Sequence, residues 1–115
     1  MRVLLDHCID WRLKRSLPNH EVKSTGEMGW EDLRNGELLA KASSTFEASI
    51  TVDKNLKHQQ NLSKLPLTVV ELECRDIRLK TLIGLSPRIE EALSQIQNGA
   101  RFVVVHLEGS NEILA

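Results

Sequence analysis

Tyrosine is absent from this chain, and two tryptophans with two phenylalanines bring aromatics to only 3% of its 115 residues. So sparse a set shows no stacking platform for single-stranded bases, and Trp11 and Trp30 read as packing residues. Cysteine is almost as scarce. Cys8 and Cys74 form no CxxC pair and no zinc spacing, which argues against a disulfide framework and fits a reduced, cytoplasmic setting. Cys8 is expected to be buried, as free cysteines usually are, rather than to act as a nucleophile. No charge predominates: 15 basic against 16 acidic residues leave a net charge of -1. The overall basic field of a nucleic-acid binder is therefore missing, although a local basic patch stays open. Long apolar runs are missing too. None approaches a membrane span, and three apolar residues between Arg2 and Asp6 are too few for a signal peptide.

What is present is ordinary globular composition, 41% apolar and 27% charged, enough for one domain over residues 1–115 with one proper core. Val3 to Leu5 is a continuous apolar run, consistent with a strand covered on both faces. Ile9, Leu13 and Leu17 then fall at helical spacing until Pro18-Asn19. His20 to Ser24 reads as a weaker strand and Gly26 to Trp30 as a loop. Asn35 is expected to cap a helix whose face carries Leu38, Leu39, Ala42 and Phe46. Ala48 to Val52 is the third strand. Lys54 to Lys64 is a polar loop with a helical turn, and Leu67 to Leu72 a buried, β-branched strand. Asp76 stands where a cap for a short helix over Ile77 to Ile83 is expected. Ser86-Pro87 opens a longer helix with Ile89, Leu93 and Ile96 inward, stopped by Asn98-Gly99. Arg101 to Leu107 is the last strand. This alternation predicts a three-layer α/β domain, a mainly parallel, five-stranded sheet with helices on both faces; in the order 2-1-3-4-5 the first and third strands are neighbours.

In such a sheet the carboxyl ends of the parallel strands share one edge, and ligands bind in the crevice beyond it. Asp6 follows the first strand and Asp53 the third, so the two are expected to face each other there. Either aspartate alone reads as a helix or turn cap. Together they suggest a site, since two close carboxylates repel unless a cation such as Mg²⁺ or Mn²⁺ lies between them. Glu37, in the first turn of its helix, is equally explained by the helix dipole. His7 could ligate a metal or bind phosphate, or belong to a cap. His20, His58 and His106 have no partner at ligand spacing and read as structural.

Three stretches, LLDHCID at 4–10, GWEDLRNGELLAKA at 29–42 and SITVDKNLKHQQNL at 49–62, together resemble the PIN-like nucleases, particularly the compact subgroup associated with toxin–antitoxin pairs. The resemblance covers nearly the whole chain up to the last strand. It implies a PIN-like fold, a prokaryotic ribonuclease that hydrolyses phosphodiesters with Mg²⁺ or Mn²⁺, a small antitoxin partner and a homodimer. Position by position, it implies Asp6, Glu37 and Asp53 as the metal-holding and catalytic acids, with Thr51 beside Asp53. The chain departs from the family's pattern at His7, Asn35 and Asn55, where relatives carry further acids. Lys54, Lys57, Arg34 and Arg75 could meet phosphate, though basic residues in such numbers are more often a solvated face.

Two other readings compete. A phosphoacceptor receiver domain would need a second acid at His7, a small hydroxyl residue ending strand four and a lysine ending strand five, and it fails on all three. A PIN-like module that binds RNA or a protein partner without cutting is the stronger rival, favoured by the acids missing at positions 7, 35 and 55.

Overall fold

The computed structural model describes residues 1–58 and 61–115; Gln59 and Gln60 lie outside the described residues, as does the side chain of Asn35. Five parallel strands form the sheet, β1 (Arg2–Leu5), β2 (Glu21–Ser24), β3 (Ala48–Thr51), β4 (Thr68–Leu72) and β5 (Phe102–Val105). A short β6 (Glu112–Ile113) adds to β5 in the antiparallel sense, giving the order β2-β1-β3-β4-β5-β6. The expected 2-1-3-4-5 arrangement is therefore present with one strand more. Nothing in the polar sequence EGSNEIL at 108–114 alternates enough to mark a strand two residues long.

Strand parity builds the layers, because successive side chains leave a strand on opposite faces. Val3, Leu5, Ile50, Val70, Leu72, Val103 and Val105 face one way and pack under α3 (Leu79–Gly84) and α4 (Ser86–Gln97), which supply Leu82, Ile89, Leu93 and Ile96. Leu4, Val69, Phe102 and Val104 face the other way, against Leu38, Leu39, Ala42 and Phe46 on and after α2 (Asn35–Ala42). A sheet sandwiched this way has both faces dry, which is why its strands are almost uninterrupted in apolar residues. Leu5, Ile50, Val69, Val70, Val103, Leu39 and Leu93 are all buried, as expected. Val52 is not fully so: β3 ends at Thr51, and Val52 is half-buried in the turn beyond. Truncating a buried leucine such as Leu93 costs about 2–5 kcal/mol in sites of this kind.

Several local readings are revised. The stretch predicted as a helix over Ile9–Leu17 is a 3-10 helix, Trp11–Ser16, capped by Asp10 through the N–H of Arg12. Gly26–Trp30 is not simply a loop. A single turn, α1 (Thr25–Met28), is closed by a capping box in which Ser24 and Glu27 satisfy each other's backbone N–H groups. The S-x-x-E spacing that signals it stands in the sequence. Asn35 is the first residue of α2 and Arg34 its N-cap, with no side-chain hydrogen bond to the cap. Asp76 sits two residues ahead of the N-cap Arg78, and its carboxylate gathers the N–H of Arg78 and the hydroxyl of Thr81. The 54–64 segment carries two 3-10 turns, Leu56–His58 and Leu62–Lys64.

Candidate functional site

The carboxyl ends of β1 and β3 lie side by side, with Leu5 in register with Ile50. One more residue along, the N–H of Asp6 donates to the carbonyl of Ile50 at 3.0 Å, so the chain leaves β1 still tied to β3. The link then passes to side chains. The hydroxyl of Thr51, itself 1% exposed as a residue, donates to Asp6 Oδ2 at 2.7 Å. The Thr51 hydroxyl oxygen itself accepts the N–H of Asp53 at 3.0 Å. Asp53 in turn accepts the N–H of Asn55 on Oδ1 at 2.9 Å, closing an Asx turn. Asp6, Thr51, Asp53 and Asn55 are thus one hydrogen-bonded chain at a single sheet edge. The caps foreseen for the two aspartates exist here as turn bonds from the N–H groups of His7 and Asn55, and separate bonds through the Thr51 hydroxyl link Asp6 to the backbone of Asp53.

His7 has a defined place. Its Nε2 lies 2.7 Å from the carbonyl of Leu33 and its Nδ1 lies 3.1 Å from the hydroxyl of Thr25. A carbonyl can only accept, so Nε2 carries a proton. The ring is a strut between the end of β1, α1 and the loop before α2, with both nitrogens in use. Its backbone N–H adds a 2.7 Å bond to Asp6 Oδ1.

Glu37 does not complete the set. It is exposed on α2, and among the described residues no three His, Cys, Asp or Glu side chains gather closely enough to hold a metal ion. The residues present therefore do not fit a three-carboxylate metal centre. Mg²⁺ also accepts a sparser arrangement, one or two carboxylates with the remaining positions filled by water and substrate phosphate, and Asp6 and Asp53 are the residues that would offer it. Each carboxylate oxygen they use in the turn bonds keeps a lone pair for a further partner.

Sequence reasoning missed two groups at this edge. Glu71 on β4, in register with Thr51, is fully buried. Its Oε2 lies 3.3 Å from Lys57 Nζ, while its Oε1 has no hydrogen-bond partner. Lys57 is thereby an internal counter-ion instead of a free phosphate contact. The surrounding run LTVVEL hid this carboxylate, since its neighbours are all apolar or β-branched. Further along, His106 is structural as foreseen, but with named partners: Nδ1 is 3.0 Å from Glu73 and Nε2 is 2.8 Å from Glu112. The two carboxylates hold the imidazolium and push its pKa up, and the imidazolium holds Glu73 below its usual range.

Beside the aspartates, beyond the ends of β1 and β2, a cleft of about 850 Å³ is lined by His7, Trp11, Arg12, Thr25, Arg34 and Ile77, among others. Cys8 lines it too and is exposed, contrary to the burial expected of a free thiol. Trp11 is also no packing residue, being 45% exposed. Trp30 is one, set edge-on to Phe46 with ring centres 6.0 Å apart. Arg12 pairs with Asp10 in two bonds, which hold the Asp10 carboxyl down at about 2. Lys54, Arg34 and Arg75 are exposed. No helix among the described residues is long and apolar enough to cross a membrane. Comparison with protein-family models, with curated proteins and with solved structures finds no match for this chain.

Proposed function

We propose that this chain is a PIN-like, RNA-directed protein whose working site is the Asp6–Thr51–Asp53 constellation, acting as a ribonuclease with Mg²⁺ or Mn²⁺. The observation that carries the reading is the shared hydroxyl of Thr51, which holds the Asp6 carboxylate and the backbone N–H of Asp53 at the crevice between neighbouring strands. In an open α/β sheet that crevice is the place where ligands bind.

A bound divalent ion would supply an activated water and neutralise charge on the phosphodiester. Asp6 and Asp53 would hold it. Thr51 sets the orientation of the Asp6 carboxylate by donating to one of its oxygens, and the Asx turn at Asn55 sets that of Asp53. The exposed cations Lys54 and Arg34 are suited to the flanking phosphates of a strand. A small antitoxin protein that covers this edge, and a homodimer, belong to the same reading.

The second reading, a module that binds RNA or a protein without cutting, is favoured by His7. A ring whose nitrogens both have protein partners stands where an additional acid would hold metal. One experiment separates the two. Single-stranded RNA is incubated with the native chain and with Asp53→Asn, in Mn²⁺ and in chelator. Mn²⁺-dependent cleavage that Asp53→Asn abolishes supports the nuclease. Binding without cleavage supports the module, and neither binding nor cleavage rejects both RNA readings.

A further inference from the structure

Glu71 is the one charged residue in the buried run LTVVEL, and apolar packing alone does not call for it. A carboxylate so deeply buried is costly unless it is well paired. Its pairing is thin. Lys57 Nζ stands 3.3 Å from Oε2, longer than the roughly 2.7–2.9 Å of a charge-assisted bond, and Oε1 has no partner among the described residues. An apolar side chain in place of a buried ionic group is often neutral or stabilising, so stability gives little reason for this one. Its place in the sheet gives a better one. Glu71 is in register with Thr51, so the two side chains leave neighbouring strands on the same face. Thr51 bonds Asp6 on its other side, which makes Asp6, Thr51 and Glu71 one row at the carboxyl edge. With strands about 4.8 Å apart, the outer two members of the row are roughly 10 Å from each other. Lys57 reaches Glu71 from the 3-10 turn that follows the Asx turn of Asp53. A buried charge in this position is little screened by salt and acts on whatever the two aspartates hold.

We propose that Glu71 is a third carboxylate acting on the Asp6–Asp53 cation site, with Lys57 as its resident counter-ion, and that this pair sets how tightly a divalent ion is held. The inference rests on the cation-site reading above and names the groups that tune that site without touching the ion. With both residues present their charges largely cancel, and Asp6 and Asp53 supply the attraction. Without the ammonium, an uncancelled negative charge adds to it. Without the carboxylate, the ammonium opposes it. Among the described residues no three acids gather as a metal cage, and the third acid of this edge is committed to a lysine.

The test titrates Mn²⁺ into the full chain and follows the electron spin resonance of the free ion, which gives Kd with no RNA present. Lys57→Met is expected to lower Kd about tenfold and Glu71→Gln to raise it about tenfold. That is the effect of one unit charge about 10 Å from a divalent ion in a medium between protein surface and bulk water. The chain carrying both substitutions should bind as the parent does. A pair that only clamps the turn after Asp53 would behave differently, since either single loss would loosen Asp53 and weaken binding. Both single variants weaker than the parent, or all four chains equal, would therefore overturn the proposal while leaving the Asp6–Asp53 site standing. No Mn²⁺ binding by the parent would overturn both. Lys57→Met leaves a buried carboxylate unpaired, so thermal melting checks that it folds. If it does not, Glu71→Gln and the double variant decide: Glu71→Gln as tight as the parent, or a double variant as weak as Glu71→Gln, overturns the proposal.

Discussion

Thr51 ends β3 and Asp6 follows the neighbouring β1, and the threonine hydroxyl donates to the aspartate at 2.7 Å while accepting the backbone N–H of Asp53. One buried oxygen therefore serves both aspartates. Thr51→Val keeps the shape of the side chain and removes that oxygen. It is expected to destabilise the fold by about 1–3 kcal/mol, because the N–H of Asp53 and an oxygen of Asp6 both lose a partner. Thr51→Ser keeps the hydroxyl and should recover most of the loss. Urea unfolding of the three proteins measures this. A Thr51→Val variant as stable as the parent would mean the hydroxyl ties nothing together.

At position 7 the resemblance invites an acid, and the geometry opposes one. The Leu33 carbonyl needs a donor, which Nε2 of His7 supplies. His7→Glu would set acceptor against acceptor and bring a second carboxylate beside Asp6, whose Oδ1 is now 4.0 Å from the histidine ring. A loss of about 1–3 kcal/mol is expected at neutral pH. His7→Gln, whose amide can donate, should lose less. Chemical denaturation with all three chains decides the order. Glu equal to or better than Gln would remove the strut from the account.

His106 makes stability depend on pH in a stated direction. Carboxylates only accept, so a ring that bonds Glu73 and Glu112 together needs both nitrogens protonated. The folded pKa of His106 is raised, so its contribution is fully present below the unfolded value of about 6.5. That contribution is lost as pH rises through the higher folded value. Glu73, lowered in the fold, works in the opposite sense: its share is present above the usual glutamate range and falls away in acid. Melting temperatures of the parent should therefore fall from pH 6 toward pH 9 relative to His106→Gln. Parallel curves for the two proteins would contradict the bridge. The loosened part should be β6, which Glu112 begins, so faster amide exchange at Leu114, whose N–H bonds the Phe102 carbonyl, is the local readout.

How far the sequence was legible follows the length scale of each signal. Runs such as FVVV and TVVEL announce covered strands, and Ile89, Leu93 and Ile96 announce α4, because burial on a whole face leaves a periodic trace. The parallel sheet follows from the alternation, and the meeting of Asp6 and Asp53 follows from it once the first and third strands are neighbours, as they are. Features made by one or two residues were harder. The 3-10 geometry at Trp11–Ser16 differs from an α-helix by where each N–H points, which side-chain spacing does not record. Residue type alone puts Trp11 and Cys8 in the interior, yet their positions just past the end of β1 turn them to the cleft. The buried Glu71 and its Lys57 are fourteen residues apart, and only the fold brings them together. Glu37 shows the converse: a position matched by resemblance, on a helix that leaves it exposed and outside any cluster among the described residues.

If Asp6 and Asp53 work as one cation site, a melting curve with and without Mn²⁺ reports it. An ion that binds only the folded chain adds RT ln(1 + [L]/Kd), about 1.4 kcal/mol at ten times Kd. For a domain of this size that is a rise of roughly 4–8 °C in Tm. Asp53→Asn removes one charge and almost no volume, and its amide oxygen can still accept the N–H of Asn55. The parent is expected to show this rise over its value in chelator, and Asp53→Asn to lose most of it. A parent that does not shift, or an Asp53→Asn chain that shifts as much, would make the two carboxylates turn-forming groups and nothing more.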